Sequence, residues 1–499
     1  MYAMPYIRHL LALLFACILV PLLAQEAPTQ PVRLELPLKA EDVDIEVIAL
    51  PDSSLLVYHK TSNLWETEAT FHFTKYNSQL QEVWTDTAAL APDNDYIRSY
   101  TFGPHTFLVY GGDNLRDYTF VRLSHETGET WHKKFEIEQL EEIYEYRVLQ
   151  GNFFLIGRNR KDGKSLLLHL NPESGEITPL PSLYGEESSF TDMLSDHEQD
   201  RLDVVISESN GRISRLQVKS FDATGKLLKN YFILQKEDKS LLNAEVTPGD
   251  TTQKLLIGTY GTRDLRYSQG FFATLMASQV VEGNFYSILE LNNFLKYMKP
   301  RREERARRRQ EQRLRSGRGS GLNYRLLLHD LIETPYGYIL AAEAYFPQHS
   351  NERSSVLSMT PSGLRPYKLA DGFKRSHAVA LGFDKSGQLL WDNAMPLTGI
   401  TTYYLRHAVE VQPLTDGRVV MAYPENTRIV YQIMNDNRYN DEKTELELLP
   451  YEENEKIQTN EYPGLIRWYG NSMAAFGFQH IKTKGKGTRQ AFSITKITF

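Results

Sequence analysis

Tyr96-Ile-Arg-Ser-Tyr-Thr-Phe102, Thr106-Phe-Leu-Val-Tyr110, Tyr118-Thr-Phe-Val-Arg-Leu123 and His125-Glu-Thr-Gly-Glu-Thr-Trp131 follow one another within 36 residues. Aromatic and β-branched side chains dominate the first three runs, and Thr127-Gly128 supplies the turn that opens the last one. That pattern predicts four short strands joined by hairpins. The same sentence recurs along the chain. Its third-to-fourth-strand turns fall at Ser78, Gly128, Gly175, Gly225, Gly283, Gly387 and near Asn437. The spacings are 50, 47, 50, 58, 104 and 50 residues, and the long gap contains two insertions. Four strands every ~50 residues is the period of a β-propeller blade.

The two ends of the chain complete this reading. The last module offers three strands, Leu465–Tyr469, Met473–Phe478 and Gln490–Phe499, and then stops. Val32-Arg-Leu-Glu-Leu-Pro-Leu38 stands alone before the first module. Pairing this N-terminal strand with the final module hides an edge that would otherwise seek a partner. The expected fold is therefore all-β, a single propeller of about eight four-stranded blades closed by the N-terminal strand, with seven blades as the alternative count. Composition agrees: with 29 Tyr and 23 Phe, the chain is rich in residues that suit pleated, half-buried surfaces.

Arg8 and His9 precede an apolar run, Leu10–Val20, which ends in Pro21-Leu-Leu-Ala24. A basic start, a short apolar stretch and a small residue at the cut describe a signal peptide, expected to be residues 1–24 with the propeller in 25–499. Leu10–Ala24 falls short of the roughly 20 apolar residues that span a bilayer, and no later segment is long enough. The mature chain is thus expected in the periplasm or outside the cell, and not as an integral membrane protein. Cys17 is the only cysteine. Its apolar surroundings fit poorly with an acylated lipoprotein start. Cleavage after Ala24 leaves no disulfide, thiolate metal site or cysteine nucleophile.

The chain carries a formal charge of −7, distributed unevenly. Lys299–Arg318 holds one Lys, nine Arg and three Glu, a local +7, within an insertion placed at 294–321. Glu303/Arg307, Glu304/Arg308 and Glu311/Arg315 are each four residues apart with Glu first, which supports an exposed helix. Ser316–Gly321 then reads as a flexible tether. Arg301, Arg302, Arg305, Arg307, Arg308 and Arg309 are candidates for docking an acidic partner, although the segment also reads as a merely solvated, partly disordered excursion. The acidic remainder of the chain argues against nucleic acid. A second insertion, 348–376, is expected as a loop leaving one face of the disc.

The best candidate for a binding site lies in the module between these insertions. Pro335-Tyr336-Gly337 suits a three-residue hairpin loop with Gly337 in the left-handed position. That register sets Thr334 against Tyr338 and His329 against Glu343, with Cβ atoms about 5.5 Å apart. A carboxylate flanked by Ala342 and Ala344 needs a partner, and the pair suits orienting a ligand or moving a proton. More often such a pair satisfies itself inside a sheet. Asp330 and Arg325 complete this candidate set. The histidines lack ligand spacing, so neither a metal nor a catalytic set is expected.

The hairpins His125–Trp131 and Asp384–Trp391 resemble the tryptophan-bearing repeat of pyrroloquinoline-quinone dehydrogenases, shared by the eight-bladed outer-membrane assembly lipoprotein. Phe221–Leu227 is similar without the Trp, so the resemblance covers three modules. It implies a quinoprotein-type propeller. The family's adjacent cysteine pair is missing, so no cofactor is expected. Ser124–Trp131 also looks like the Asp-box turn of sialidases, with Glu126 where Asp is usual. The leader and general style are similar to exported propellers of Bacteroidota. Together these readings favour an exported, non-enzymatic scaffold that engages a protein or envelope component. A glycan-binding or glycan-active propeller is the alternative, and a redox propeller a minor one.

Overall fold

The structure is a computed structural model that describes residues 27–499 except 41–42, 62–66, 113–115, 182–187, 234–238, 263, 278–282, 320, 349–355, 361–362, 368–371 and 440–442. The expected leader, with Cys17, lies outside the described residues.

Eight antiparallel sheets follow one another round a ring. The first strands of neighbouring blades touch each other about a common axis, so each blade runs outward from strand a at the channel to strand d at the rim. The a strands of blades 1 to 5 are Val43–Ala49, Asp95–Phe102, Leu140–Leu149, Ser189–Asp196 and Ser240–Val246. Blade 6 splits its a strand into Arg325–Leu328 and Ile332–Thr334, and blades 7 and 8 use Glu410–Pro413 and Glu455–Arg467. Eight is therefore the blade count.

Blade 8 takes strands a to c from the C-terminal part of the chain and strand d from Arg33–Leu36. Leu34 lies opposite Ile494 and Leu36 opposite Phe492. Thr29 N–H donates to Thr498 O at 2.9 Å, which extends the seam beyond the strand. Apolar residues close it: Leu55 and Val57 of blade 1 pack with Ala474, Phe492 and Ile494 of blade 8.

Tryptophans staple blades together more than they fill them. Trp468 Nε1 donates to Ser54 O at 3.2 Å from blade 8 to blade 1, and Trp84 Nε1 donates to His125 O at 3.0 Å from blade 1 to blade 2. Gly128 is required at this second joint. It has φ +76°, and a Cβ would stand 2.8 Å from the Trp84 ring. The hairpin glycine is thus both a turn residue and the floor on which the preceding blade's indole rests.

Among the described residues there is one helix, α1 (Pro300–Arg315), between blades 5 and 6. It starts with Pro in its first turn, where the missing N–H costs nothing. No described helix is long and apolar enough to cross a membrane. The first excursion is narrower than expected, because Phe294 and Leu295 are fully buried in the core between blades 5 and 6. The second also differs from a plain loop. Val356–Thr360 pairs with Gly363–Tyr367, and strand c of blade 6 already begins at Gly372.

Closure by strand d yields a prediction. Deleting residues 25–38 from the mature chain exposes the Gly487–Thr498 edge and uncovers Leu55 and Val57. The melting temperature should fall by roughly 10 °C or more, with aggregation on heating, as judged by calorimetry and light scattering.

Candidate functional site

The a strands do more than form a wall. In blades 2, 3, 4, 5 and 8 they carry register shifts, at Tyr96/Arg98, Ile143/Glu145, Phe190/Asp192, Leu241/Asn243 and Glu461/Gly464 among others. A bulge inserts a residue, bends the strand and re-aims the side chains beside it. Every a strand, or its bulge, contributes a charged residue to the channel linings: Glu46, Arg98, Glu145 with Arg147, Asp192, Glu245, Asp330, Glu410 and Arg467.

In blade 6 the bulge is His329-Asp330-Leu331. Leu328 pairs with Ala342 and Ile332 with Ile339, so three residues oppose two. The hairpin itself is tighter than expected. Thr334 pairs with Gly337 instead of Tyr338, around Pro335-Tyr336. Gly337 begins the return strand, where a Cβ would stand 1.9 Å from Phe383 O, so close approach and not a left-handed loop requires it. The extra residue thus sits in the bulge, and Leu327, not His329, lies opposite Glu343.

The bulge still delivers His329 to its partner, with Nε2 3.1 Å from Glu343 Oε1. Oε1 also accepts the N–H groups of Ala408 at 2.8 Å and Val409 at 3.0 Å, and Oε2 accepts Arg375 Nε at 2.8 Å. Glu343 and Arg375 are both buried. Burial alone would push the Glu343 carboxyl up; the donors from His329, Arg375 and Ala408 overcome it and hold the group at about 2. His407 stacks on His329 with ring centres 3.9 Å apart, and its Nε2 meets Leu328 O at 2.7 Å. Loss of hydration and the neighbouring His329 push His407 down to about 4. Glu343 is thus fully committed, bolting the start of blade 7 to blade 6. Arg325 does not join it. Its guanidinium lies over Tyr267 at 5.5 Å, and the cation on Glu343 is Arg375, inside the stretch expected to be loop.

Asp330 points away from this hub into the channel. There it shares a chamber of about 450 Å³ with Arg98, Glu145, Arg147, Asp192, Glu245 and Arg467, toward the a–b turns. Asp192 accepts Met193 N–H at 2.7 Å and Val246 N–H at 2.8 Å. Burial nevertheless raises it to about 6, with Asp330 adding to the rise while Arg147 opposes it. Glu245 is hydrogen-bonded to Asp192 and is pushed well above the carboxylate range by burial and then by Asp192 and Asp330. Of the two, Glu245 is raised the further and keeps its proton to the higher pH.

A second chamber, about 790 Å³, opens at the other end, where blades connect. Asp44, Glu46, Arg406, His407, Glu410 and Tyr462 line it. Loss of hydration raises Glu46 to about 7, helped by Asp44 and opposed by Arg406. Glu410 is raised by burial against the pull of Arg467. Tyr462, in the chamber's lining, is 77% exposed, and Tyr403 and Tyr404, in the loop between the lining residues Thr402 and Arg406, are 84% and 80% exposed. Tyr462 has φ +50°, a conformation costly for a bulky side chain. Among the described residues, no three His, Cys, Asp or Glu side chains converge as a metal-ligand set.

The basic segment is a helix, as expected, and divides into anchored and free arginines. Arg307 bonds Glu303 Oε1 at 2.9 Å and caps the carbonyls of Leu289 at 3.0 Å and Leu291 at 3.1 Å. It seats the helix against the segment that precedes it. Arg308 pairs with Glu304 at 2.7 Å on the surface. Arg301, Arg302, Arg305 and Arg309 are exposed.

Sequence reasoning missed Glu46, Arg147, Asp192, Glu245, Glu410 and Arg467. The signal was present in the period. In seven of eight blades a charged residue immediately precedes an apolar one in strand a or its bulge, as in Glu46-Val47, Arg147-Val148, Glu245-Val246, Glu410-Val411 and Arg467-Trp468.

No family model matches the chain, and no curated protein matches it. Similar solved structures include the polysaccharide lyase Uly1, at TM-score 0.39 and 10% identity over 82% of this chain and 90% of that one. A Synechocystis apocarotenoid oxygenase variant follows at 0.30 and 9%, over 54% and 67%. The β-propeller domain of the Trilobed protease from Pyrococcus furiosus, described as having an open velcro topology, gives 0.28 and 8%, over 80% and 97%. These are distant likenesses in shape, and the chemistry of the site rests on this chain's own residues.

Two predictions follow from the electrostatics. Glu343→Ala strands Arg375 and two N–H groups and should cost about 3–5 kcal/mol in urea unfolding. Because Glu343 is depressed, its stabilising contribution is present above pH ~4.5 and disappears as pH falls toward about 2. Glu46 has the opposite sign: its proton favours the fold below pH ~4.5, and that contribution is lost as pH rises through about 7. Glu46→Gln should therefore match the parent at pH 4 and exceed it at pH 8 by about 2 kcal/mol. Equal stability at both pH values would show that Glu46 is not desolvated.

Proposed function

We propose that this chain is an exported binding propeller that holds a carbohydrate at the mouth of its central channel. The supporting observation is the rim. Tyr462 stands in water there on a strained backbone, and Tyr403 and Tyr404 are exposed in the loop between Thr402 and Arg406. Strain of about 1–3 kcal/mol persists where surroundings impose it, and such residues cluster at ligand sites. Tyrosine rings offer flat, apolar faces with a polar tip, suited to the C–H face of a sugar. Below them, Glu46 and Glu410 in their protonated forms both donate and accept hydrogen bonds, and Arg406 adds further donors. A polyhydroxylated ligand matches that mixture better than an apolar one. Binding is favoured over catalysis because the His329–Glu343 pair is consumed by the joint between blades 6 and 7.

A second reading, a scaffold for an acidic protein or envelope partner, is favoured by the exposed arginines of α1, held outward by the Arg307 seat. Residues 1–24, read as a signal peptide, put either ligand in the periplasm or outside the cell.

A glycan array on the mature chain, followed by calorimetric titration of the best hit, tests the first reading. Tyr462→Ala should weaken binding by about tenfold or more, at an unchanged melting temperature. Deleting 299–318 should leave glycan affinity as it was. Absence of any glycan hit, or full affinity in Tyr462→Ala, refutes the channel-mouth site; loss of a co-purifying partner on the 299–318 deletion would support the scaffold.

A further inference from the structure

A further concavity lies apart from the channel. A groove of about 960 Å³ lies on the face of the a–b and c–d turns, spanning blades 2 and 3 and reaching the Asp196–Arg201 turn of blade 4. Its walls carry aromatic rings: Phe102, 43% exposed and stacked on His197, and Trp131 at the start of strand d of blade 2. Trp131 is the last residue of the Asp-box-like turn.

Its polar groups are mainly donors. Arg122 lies directly opposite Trp131 in the sheet, with its guanidinium carbon 5.7 Å from the ring centre. Among the described residues Arg122 has no carboxylate partner and no hydrogen-bond acceptor, so all five N–H groups remain available. Lys133 Nζ donates to Pro172 O at 2.7 Å, tying it to the c–d turn of blade 3, and it too lacks a carboxylate. Asn171 spends its side-chain oxygen on the N–H groups of Glu173 and Ser174, at 2.9 and 3.1 Å, which leaves its NH₂ free. Glu173 and Asp200 lie at the exposed rim and pair with neither cation.

A stacked guanidinium with an unused fork is arranged to receive a carboxylate. Flat rings beside it suit a sugar. We infer that the groove between blades 2 and 3 binds a carboxylate-bearing oligosaccharide, with Arg122 on the carboxylate and Phe102 and Trp131 against sugar rings. A peptide is less well served where the rim is made of closed hairpin turns; Gly175 N–H, for example, is taken by Asn171 O at 2.9 Å. The inference stands apart from the channel-mouth reading, since no residue is shared.

Calorimetric titration of the mature chain with tetragalacturonate and with a hyaluronan tetrasaccharide tests it. At least one should bind, and about tenfold more tightly than the same oligosaccharide with its carboxylates reduced to alcohols. Arg122→Gln should abolish that preference without moving the melting temperature, and Trp131→Leu should weaken acidic and reduced forms alike. Tyr462→Ala should leave both unchanged, which separates this site from the channel mouth. Failure of both acidic oligosaccharides to bind below millimolar concentration overturns the assignment, as does an unaltered preference in Arg122→Gln. Equal or tighter binding of hexaglutamate overturns it in favour of an acidic peptide.

Discussion

A four-stranded blade cannot bury both of its faces alone. Each sheet here is completed by its neighbours, so the ring must close for any blade to be stable. Closure depends on one short pairing, Arg33–Leu36 against the C-terminal strand, backed by Leu55, Val57, Phe492 and Ile494. Buried apolar area of this kind contributes about 25 cal/mol per Å². The seam is therefore held by the same force as the blade interiors, and ring geometry follows from it. Trp84 on Gly128, and Trp468 on Ser54 O, fix the angles between adjoining wedges.

Closure also creates the axis, and with it an electrostatic problem. Eight strands converge on a narrow space, and their bulges turn carboxylates and arginines into it. Loss of hydration penalises each charge. The carboxylates respond in two ways. Glu343, saturated with donors, stays ionised and works as a joint. Asp192, Glu245, Glu46 and Glu410 have fewer donors and hold their protons to higher pH. One channel thus contains acids with opposite pH responses, separated by how many N–H groups each can find. That contrast distinguishes the structural carboxylate from those that line the channel chambers.

Much of the fold was legible because a blade is a local object. The hairpin glycines Gly128, Gly175, Gly225 and Gly387, and the unpaired Val32–Leu38, carry their meaning in sequence. The site was less legible because it depends on bulges. His329 and Glu343 were recognised as partners, yet by a register that placed the extra residue at Gly337 instead of in His329-Asp330-Leu331. Arg375 was hidden by a loop reading of 348–376, since a long excursion there ends within a strand and not at its edge. Arg325 was misplaced for the same reason: before the bulge the register differs by two residues from the expected one, so Arg325 pairs with Tyr345 and lies over Tyr267. The axial charges could have been found only by aligning the modules with each other, because no single strand marks its own inner position.

The proposed binding surfaces lie at the channel mouth and in the groove of blades 2 and 3, and both depend on the ring being closed as described. Cross-linking tests this most directly. Glu35 and Ser493 face each other across the closing seam. In a Cys17→Ser background, Glu35→Cys with Ser493→Cys should oxidise to one intramolecular disulfide that shifts the chain on non-reducing gels and raises its melting temperature. Two thiols that stay reactive in the folded, oxidised chain would mean that the N-terminal strand does not close the eighth blade.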